Sequence, residues 1–107
     1  MKNIEADKLE PFIPTHPGEI LKDEIDYRGI SQRALAAKIG VSYTQLNEVL
    51  NGKRPLNTEM ALFIAAALDL DAEPLLALQM RYNMITARRN SSFAARLKRI
   101  HKIASVL

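Results

Sequence analysis

The feature that most constrains the fold is the stretch from residue 32 to residue 51, QRALAAKIGVSYTQLNEVLN, where apolar residues recur at helical spacing on both sides of a short corner. The residues that would share a helix face form two groups, Leu35, Ala36 and Ile39, and then Leu46, Val49 and Leu50. Gly40 can adopt the left-handed conformation that ends a helix, and the Ser42 hydroxyl can cap the next one. The stretch therefore predicts a helix-turn-helix whose second helix runs from Ser42 to about Leu50.

Capping residues predict further helices around this pair. Pro17 suits the first position of a helix that ends near Arg28. Asn57 and Asp71 are good caps for the two helices that follow the pair. The side chains predicted to face the core are Ile20, Leu21 and Ile25, and then Ala61, Leu62, Ile64, Ala65 and Leu68. A further apolar stripe at helical spacing, which either core packing or a dimer contact would explain, consists of Leu75, Leu78, Tyr82 and Ile85. With no strand pattern among them, these segments predict an all-α fold.

Length and composition bound the rest. A chain of 107 residues is the size of one domain, which we divide into an N-terminal arm at 1–13, a domain at 14–90 and a helix at 91–107. No apolar run approaches the roughly 18 residues of a membrane span, and the polar N-terminal residues are unlike a signal peptide. We therefore expect a soluble cytoplasmic protein without membrane contact.

The residues that usually carry catalysis are missing or isolated. The chain has no cysteine, and its two histidines, His16 and His101, lie at opposite ends without the spacing of a metal-ligand pair. No glycine-rich phosphate loop occurs, and the serines are explained as caps or polar breaks. We therefore expect a protein that is not an enzyme and has no cofactor or metal site.

Longer motifs carry a resemblance to known proteins. Residues 31–55, SQRALAAKIGVSYTQLNEVLNGKRP, resemble the Cro/repressor-like helix-turn-helix family. HPGEIL at 16–21, NGKRPLNTEMALFIAAAL at 51–68 and LLALQMRYNM at 75–84 resemble more narrowly the HigA-type antitoxins, which pair with HigB-type toxins. One departure is that Pro74, Leu75 and Leu76 stand where those antitoxins usually carry an aromatic residue. The resemblance implies a five-helix Cro/repressor-like domain, here with an additional C-terminal helix.

If the second helix of the pair enters a DNA major groove, its outward side chains would read bases. The candidate base readers are Ser42, Tyr43, Thr44, Gln45, Asn47 and Glu48. Gln and Asn can pair bidentately with adenine, Thr can touch a thymine methyl group, and Glu can accept from cytosine. Tyr43, Thr44 and Asn47 are favoured because the start of the helix enters deepest, whereas phosphates would repel Glu48, for which a structural contact is the alternative.

A second group would contact the DNA backbone. Ser31 caps the first helix of the pair and places Gln32 in its first turn, where the family resemblance implies a phosphate contact. The polar turn after the second helix adds Asn51, Lys53 and Arg54 as phosphate contacts. The alternatives are a solvated Gln32 and a solvated loop.

The C-terminal end is strongly basic. Residues 1–73 carry all 12 acids and eight Lys or Arg, a sum of −4, whereas residues 74–107 carry seven Lys or Arg and no acid, a sum of +7. After a polar break at 88–92, the residues from Phe93 to Leu107 predict a basic amphipathic helix. Three interpretations stay open: the helix packs on the domain or a dimer partner, it adds electrostatic contact with DNA, or it lies on an anionic membrane.

The resemblance implies an antitoxin of a type II toxin-antitoxin module. Such a protein neutralises a HigB-like messenger-RNA endonuclease and, as a homodimer, binds operator DNA to repress its own operon. Since toxins of that class are basic, the acidic first helix and N-terminal arm are the expected contact surface. One alternative is a stand-alone repressor without a toxin partner, and another is a protein-binding module that does not bind DNA.

Overall fold

The computed structural model describes residues 14–107, so the predicted arm at 1–13 lies outside the described residues. Within that range the backbone forms six α-helices and no strand, as the sequence predicts. The helices are α1 Pro17–Arg28, α2 Gln32–Ile39, α3 Tyr43–Leu50, α4 Thr58–Leu68, α5 Ala72–Arg89 and α6 Ser91–Ile103. Two compact units are present, of which the first is Thr15–Met80 and the second includes Arg81–Leu107.

Side-chain caps explain where the helices begin. The Ser31 hydroxyl accepts a hydrogen bond from the Ala34 N–H at 3.0 Å. The Ser42 hydroxyl accepts one from the Gln45 N–H at 3.1 Å. Asn57 caps α4 in the same way. Each such bond satisfies a backbone donor that the first helical turn leaves unpaired, which typically stabilises by about 1 kcal/mol. These three predicted caps are confirmed, although Ser42 precedes α3 rather than belonging to it.

The corner between α2 and α3 depends on the conformation of Gly40. Its φ angle is +77°, in the left-handed region, and its N–H donates to the Ala36 carbonyl at 2.9 Å. A Cβ atom at this position would meet nothing within 4 Å, so the constraint is on the backbone angle and not on space. The Val41 N–H also donates to the Ala36 carbonyl, at 3.0 Å, which satisfies the end of α2.

The core of the first unit is built from aliphatic side chains of α1 to α4 and the start of α5. Its largest fully buried members are Leu21, Ile25, Leu46, Val49, Leu50, Leu56, Ile64 and Leu68. Leu75 is buried and Leu76 packs against the same cluster, at the positions where the resemblance leads one to expect an aromatic residue. The buried Gln79 accepts a hydrogen bond from the Leu56 N–H at 2.8 Å and so ties α5 to the segment before α4.

Two of the predicted core residues are exposed. Ile20 is 44% exposed and Leu62 is 54% exposed. Ile20 precedes the buried Leu21, and Leu62 follows the buried Ala61. Adjacent side chains of an α-helix point about 100° apart, so both members of such a pair do not face the core. Because the buried residues of α4 recur at intervals of three and four, Leu62 falls on the outer face. The prediction was wrong in assigning both residues of an adjacent apolar pair to the core.

The contact between α1 and α3 is as close as backbones allow. A Cβ atom built on Gly18 would lie 1.9 Å from the Val49 carbonyl oxygen. Only glycine fits there without a shift of backbone, because no Cβ atom approaches an oxygen so closely. Gly18 therefore sets the distance between the first turn of α1 and the end of α3.

In the second unit, α6 begins at the first residue of the segment 91–107, two residues before Phe93. The Asn90 side chain accepts a hydrogen bond from the Phe93 N–H at 2.9 Å, so the helix starts at Ser91 and ends at Ile103. Since α5 continues to Arg89, the predicted break at 88–92 is reduced to Asn90. Among residues 14–107 no helix has the length and hydropathy needed to cross a membrane.

Candidate nucleic-acid interface

The outward side of α3 carries the side chains that were predicted to read bases. Tyr43 and Thr44 are exposed, while Gln45, Asn47 and Glu48 are half-buried. Ser42 is exposed as well, but its hydroxyl is engaged in capping α3. Tyr43 and Thr44 occupy the first turn, the part of a recognition helix that enters a groove most deeply.

Hydrogen bonds join the predicted phosphate contact of α2 to the predicted base readers of α3. The Asn47 Nδ2 atom donates to the Gln32 Oε1 atom at 2.8 Å. The same nitrogen lies 3.5 Å from the Tyr43 hydroxyl oxygen. The Arg33 guanidinium carbon lies 4.3 Å from the centre of the Tyr43 ring, which is cation–π geometry. These four side chains therefore form one connected group across the two helices.

The turn after α3 is held by backbone bonds to Glu48. The N–H groups of Lys53 and Arg54 donate to the Glu48 carbonyl at 2.8 Å and 3.2 Å. The Asn51 side chain donates to the Asn47 carbonyl at 2.9 Å and accepts from the Lys22 ammonium at 3.1 Å. Both ends of the Asn51 amide are thus engaged within the protein.

The two cations of this turn have different surroundings. The Arg54 guanidinium donates to Glu48 Oε1 through Nε at 3.0 Å and through Nη2 at 2.7 Å. Glu48 thus has the structural contact that was the alternative to base reading. Lys53 is exposed and forms no ion pair with any residue in the described part of the chain. The Lys53 ammonium is therefore available to bind a phosphate, whereas the Arg54 guanidinium is paired with Glu48.

The side chain of His16 packs against the turn at 51–54, a role that the sequence pattern did not predict. Its side chain is 2% exposed, and its Nδ1 atom accepts a hydrogen bond from the Gly18 N–H at 2.9 Å. Its backbone N–H donates to the Glu19 carboxylate at 3.3 Å, which completes a capping box at the start of α1. A Cβ atom on Gly52 would lie 3.7 Å from the ring, so the turn sits directly against the imidazole.

The environment of His16 favours the neutral imidazole. Burial lowers the pKa of His16 below its usual 6.5, against the opposing effects of a hydrogen bond with the Arg54 backbone and of the Glu19 charge. A protonated Nδ1 would also meet the Gly18 N–H donor at 2.9 Å. The signal for this role was present in the sequence, since His16 and Glu19 have the spacing of a capping box with His in place of Ser or Thr.

Helix α6 contrasts with this ordered surface. Its apolar side chains are about half exposed: Phe93 is 45%, Leu97 43%, Ile100 51% and Ile103 49% exposed. The amphipathic helix is confirmed, but the second unit does not cover its apolar face. The three interpretations of this helix remain predictions.

Known proteins match this chain in sequence and in fold. A family model described as "Helix-turn-helix" matches residues 21–75. Virulence-associated protein A' of Dichelobacter nodosus is 36% identical over 72 residues, which are 66% of this chain and 63% of that protein. The chain thus spans less than two thirds of the length of that relative.

Solved structures extend the match. The Pseudomonas aeruginosa antitoxin HigA, solved with the higBA promoter, is 35% identical with a TM-score of 0.68, covering 81% of this chain and 90% of that one. A HigA-family antidote protein of an addiction module from Coxiella burnetii is 31% identical with a TM-score of 0.69, covering 83% of this chain and 92% of that one. The predicted Cro/repressor-like fold is confirmed by these matches. The chain belongs to the DNA-binding helix-turn-helix family and, within it, groups with the HigA-type antitoxins.

Proposed function

We propose that this protein is the antitoxin of a type II toxin-antitoxin module. As a homodimer it binds operator DNA and represses its own operon, and it binds and neutralises a HigB-like messenger-RNA endonuclease. The protein acts in the cytoplasm and has no catalytic activity of its own. The observation that carries the DNA-binding part is the capped start of α3, which presents Tyr43 and Thr44 outward beside the bonded pair of Gln32 and Asn47.

On DNA, α3 enters the major groove and its exposed first turn makes the base contacts. Tyr43, Thr44 and Asn47 are the principal readers, with Gln45 and Ser42 at the edge of the contact. Gln32 and Lys53 bind backbone phosphates, because each has a donor group that no described residue engages. Arg54 and Asn51, whose side chains are bonded to Glu48 and to Asn47, mainly position the turn.

The homodimer follows from the size of this contact. One recognition helix covers only a few base pairs, so specific binding requires two half-sites about one helical turn, or 34–36 Å, apart. Exposed apolar side chains in the first unit support a self-association surface. Leu62 is 54% exposed, Phe63 45% and Met80 64%. Large apolar side chains of this kind, when they form a patch, usually mark a protein contact.

For the toxin, the exposed side of α1 offers complementary chemistry. Asp23 and Asp26 are exposed and form no ion pair within the described residues, whereas Glu24 is bonded to Arg28 at 2.6 Å. Two apolar groups on the same helix are available, Tyr27 at 90% and Ile20 at 44% exposure. A basic toxin would meet carboxylates around apolar anchors here, the usual arrangement of a charged rim and an apolar centre.

DNA binding is tested by selecting bound sequences from a random duplex pool and measuring their affinity. Thr44→Ala and Asn47→Ala should each weaken binding to the selected site by about 1–3 kcal/mol, since each removes a base contact. Thr86→Ala, an exposed threonine of α5, is the matched control and should leave the affinity unchanged. Unchanged affinity in both α3 variants would contradict the assignment of α3 as the recognition helix.

The phosphate contact has a separate signature. Lys53→Ala should weaken binding to all sequences and reduce the slope of log affinity against log salt by about one, since one fewer counterion is released. Lys38→Ala removes the same charge from another exposed position of the first unit and should change the slope less. Equal slopes for Lys53→Ala and the unchanged protein would assign Lys53 to a solvated loop.

Neutralisation is tested in the native cells. The tagged chain, purified after nuclease treatment, should retain a small basic protein in a fixed ratio. Expression of that protein alone should stop growth, and co-expression of this chain should restore it. If the chain is recovered alone, the alternative of a stand-alone repressor becomes the better account.

A further inference from the structure

We propose that Asn47 reads its base pair as a hydrogen-bond acceptor only, and that Gln32 imposes this polarity on it. The inference deepens the proposed DNA-binding function and rests on it. Its starting observation is the 2.8 Å hydrogen bond from Asn47 Nδ2 to Gln32 Oε1, which links the first turn of α2 to the middle of α3.

The phosphate fixes the orientation of the Gln32 amide. Phosphate oxygens only accept hydrogen bonds, so Gln32 can bind the DNA backbone only through its Nε2 donors. The Oε1 atom must then face away from the phosphate, and in this structure it faces Asn47. An acceptor at that place requires a donor from its neighbour, which for Asn47 is Nδ2.

The orientation of Asn47 follows from this bond and from Tyr43. One Nδ2 hydrogen is used by Gln32, and the same nitrogen lies 3.5 Å from the Tyr43 hydroxyl, toward which its second hydrogen can be directed. Tyr43 is itself held by the Arg33 guanidinium, 4.3 Å from the centre of its ring. Both donors of the Asn47 amide are therefore directed into the protein, and the Oδ1 atom is the group left for the DNA.

An acceptor distinguishes bases differently from a complete amide. In the major groove cytosine N4 and adenine N6 are donors, whereas guanine and thymine present only acceptors to hydrogen bonding. Asn47 should thus favour a cytosine or an adenine at one position and disfavour guanine and thymine. The bidentate pairing of Asn with adenine, which the residue type alone suggests, needs a free Nδ2 hydrogen. One of the two is bonded to Gln32, and the other is directed toward Tyr43.

The test compares base preferences of variants at one position. After selection from a random duplex pool, each base pair of the site is substituted in turn, and Asn47→Ala identifies the position where discrimination is lost. At that position the unchanged protein should bind cytosine and adenine with similar affinity. Guanine and thymine should be bound about five- to hundredfold more weakly, the usual range for a specific base contact.

Two substitutions of Gln32 separate polarity from simple loss of affinity. Gln32→Ala frees the Asn47 amide for bidentate pairing, so adenine should gain about five- to hundredfold over cytosine. Gln32→Glu keeps an acceptor facing Asn47 while its charge repels the phosphate, so all sites should weaken and the ranking of bases should not change. Lys53→Ala is the matched control, which should weaken all sites equally without altering the ranking.

A measurement without DNA checks the same bond. In the free protein, the side-chain NH₂ resonances of Asn47 should change position in Gln32→Ala, because the hydrogen bond is lost. In Gln32→Glu they should stay close to their position in the unchanged protein, because an acceptor is retained. A preference of the unchanged protein for guanine or thymine, or an identical ranking of bases in Gln32→Ala, would overturn the inference. A pool without any enriched sequence would instead overturn the proposed DNA-binding function, and this inference with it.

Discussion

Helices α3 and α6 have the same kind of sequence pattern but opposite surroundings. In α3 the apolar stripe of Leu46, Val49 and Leu50 is at most 1% exposed. In α6 the corresponding stripe is between 43% and 51% exposed at Phe93, Leu97, Ile100 and Ile103. An amphipathic pattern thus predicts a helix reliably, because the pattern is local, but it does not say whether another part of the chain covers the apolar face.

The polar faces of the two helices differ as well. In α3 the Asn47 side chain is bonded to Tyr43 and to Gln32, and the Glu48 side chain is bonded to Arg54. The basic side chains of α6 have no carboxylate near them in sequence, since residues 74–107 contain no acid. The polar face of α3 therefore has a geometry fixed by hydrogen bonds, whereas α6 offers charge and apolar area without such bonds to a carboxylate.

The largest effect should come from truncating the same side chain in each stripe. Leu46→Ala opens a cavity in a fully buried site and should lower the free energy of unfolding by about 2–5 kcal/mol. Leu97→Ala removes a side chain that is 43% exposed and should cost less than about 1 kcal/mol in the isolated chain. Denaturant unfolding measures both, and similar losses for the two variants would show that α6 is covered in solution.

Gly18→Ala should have the next largest effect. A Cβ atom there would lie 1.9 Å from the Val49 carbonyl oxygen, so α1 and α3 must separate, at a cost of about 1–3 kcal/mol or more. Thermal unfolding and operator affinity report the two consequences, lower stability and a displaced turn at 51–54. Ala95→Gly, the reverse change on the exposed side of α6, is a control for glycine effects and should cost about 1 kcal/mol at most.

The smallest effect should be a pH dependence of the unfolding free energy that comes from His16. In the unfolded chain His16 titrates near 6.5, and burial lowers its pKa in the folded protein. Between those two values the unfolded chain binds more protons, so stability falls as the pH falls. The contribution of His16 is complete above 6.5 and is lost as the pH drops through the folded pKa.

Measuring the free energy of unfolding at a series of pH values isolates the contribution of His16. His16→Asn keeps a capping side chain but cannot titrate, so the difference between it and the unchanged protein should diminish as the pH falls below 6.5. A difference for His16→Asn that is constant with pH would exclude His16 as the source.

The sequence does not predict several of the side-chain contacts in the candidate site. Glu48 and Arg54, or Gln32 and Asn47, are six and fifteen positions apart, and their bonds depend on how a turn and two helices are placed. The apolar side chains of Ile20 and Leu62 predict burial, but each lies beside a buried residue and therefore points about 100° away from it, toward solvent. In the sequence His16 is an isolated histidine, but its bonds to Gly18 and to the Arg54 backbone make it part of the candidate site.

By itself the sequence determined where the helices lie, where they are capped and which family the chain resembles. Those properties depend on periodicity and on residues within one helical turn, so a short stretch of sequence is enough to predict them. Only the tertiary structure decided that Asn47 directs its donors toward Gln32, that Arg54 is paired with Glu48, and that an imidazole supports the turn at 51–54. These arrangements arise when helix packing brings separate segments within hydrogen-bonding distance, and local preferences do not contain that information.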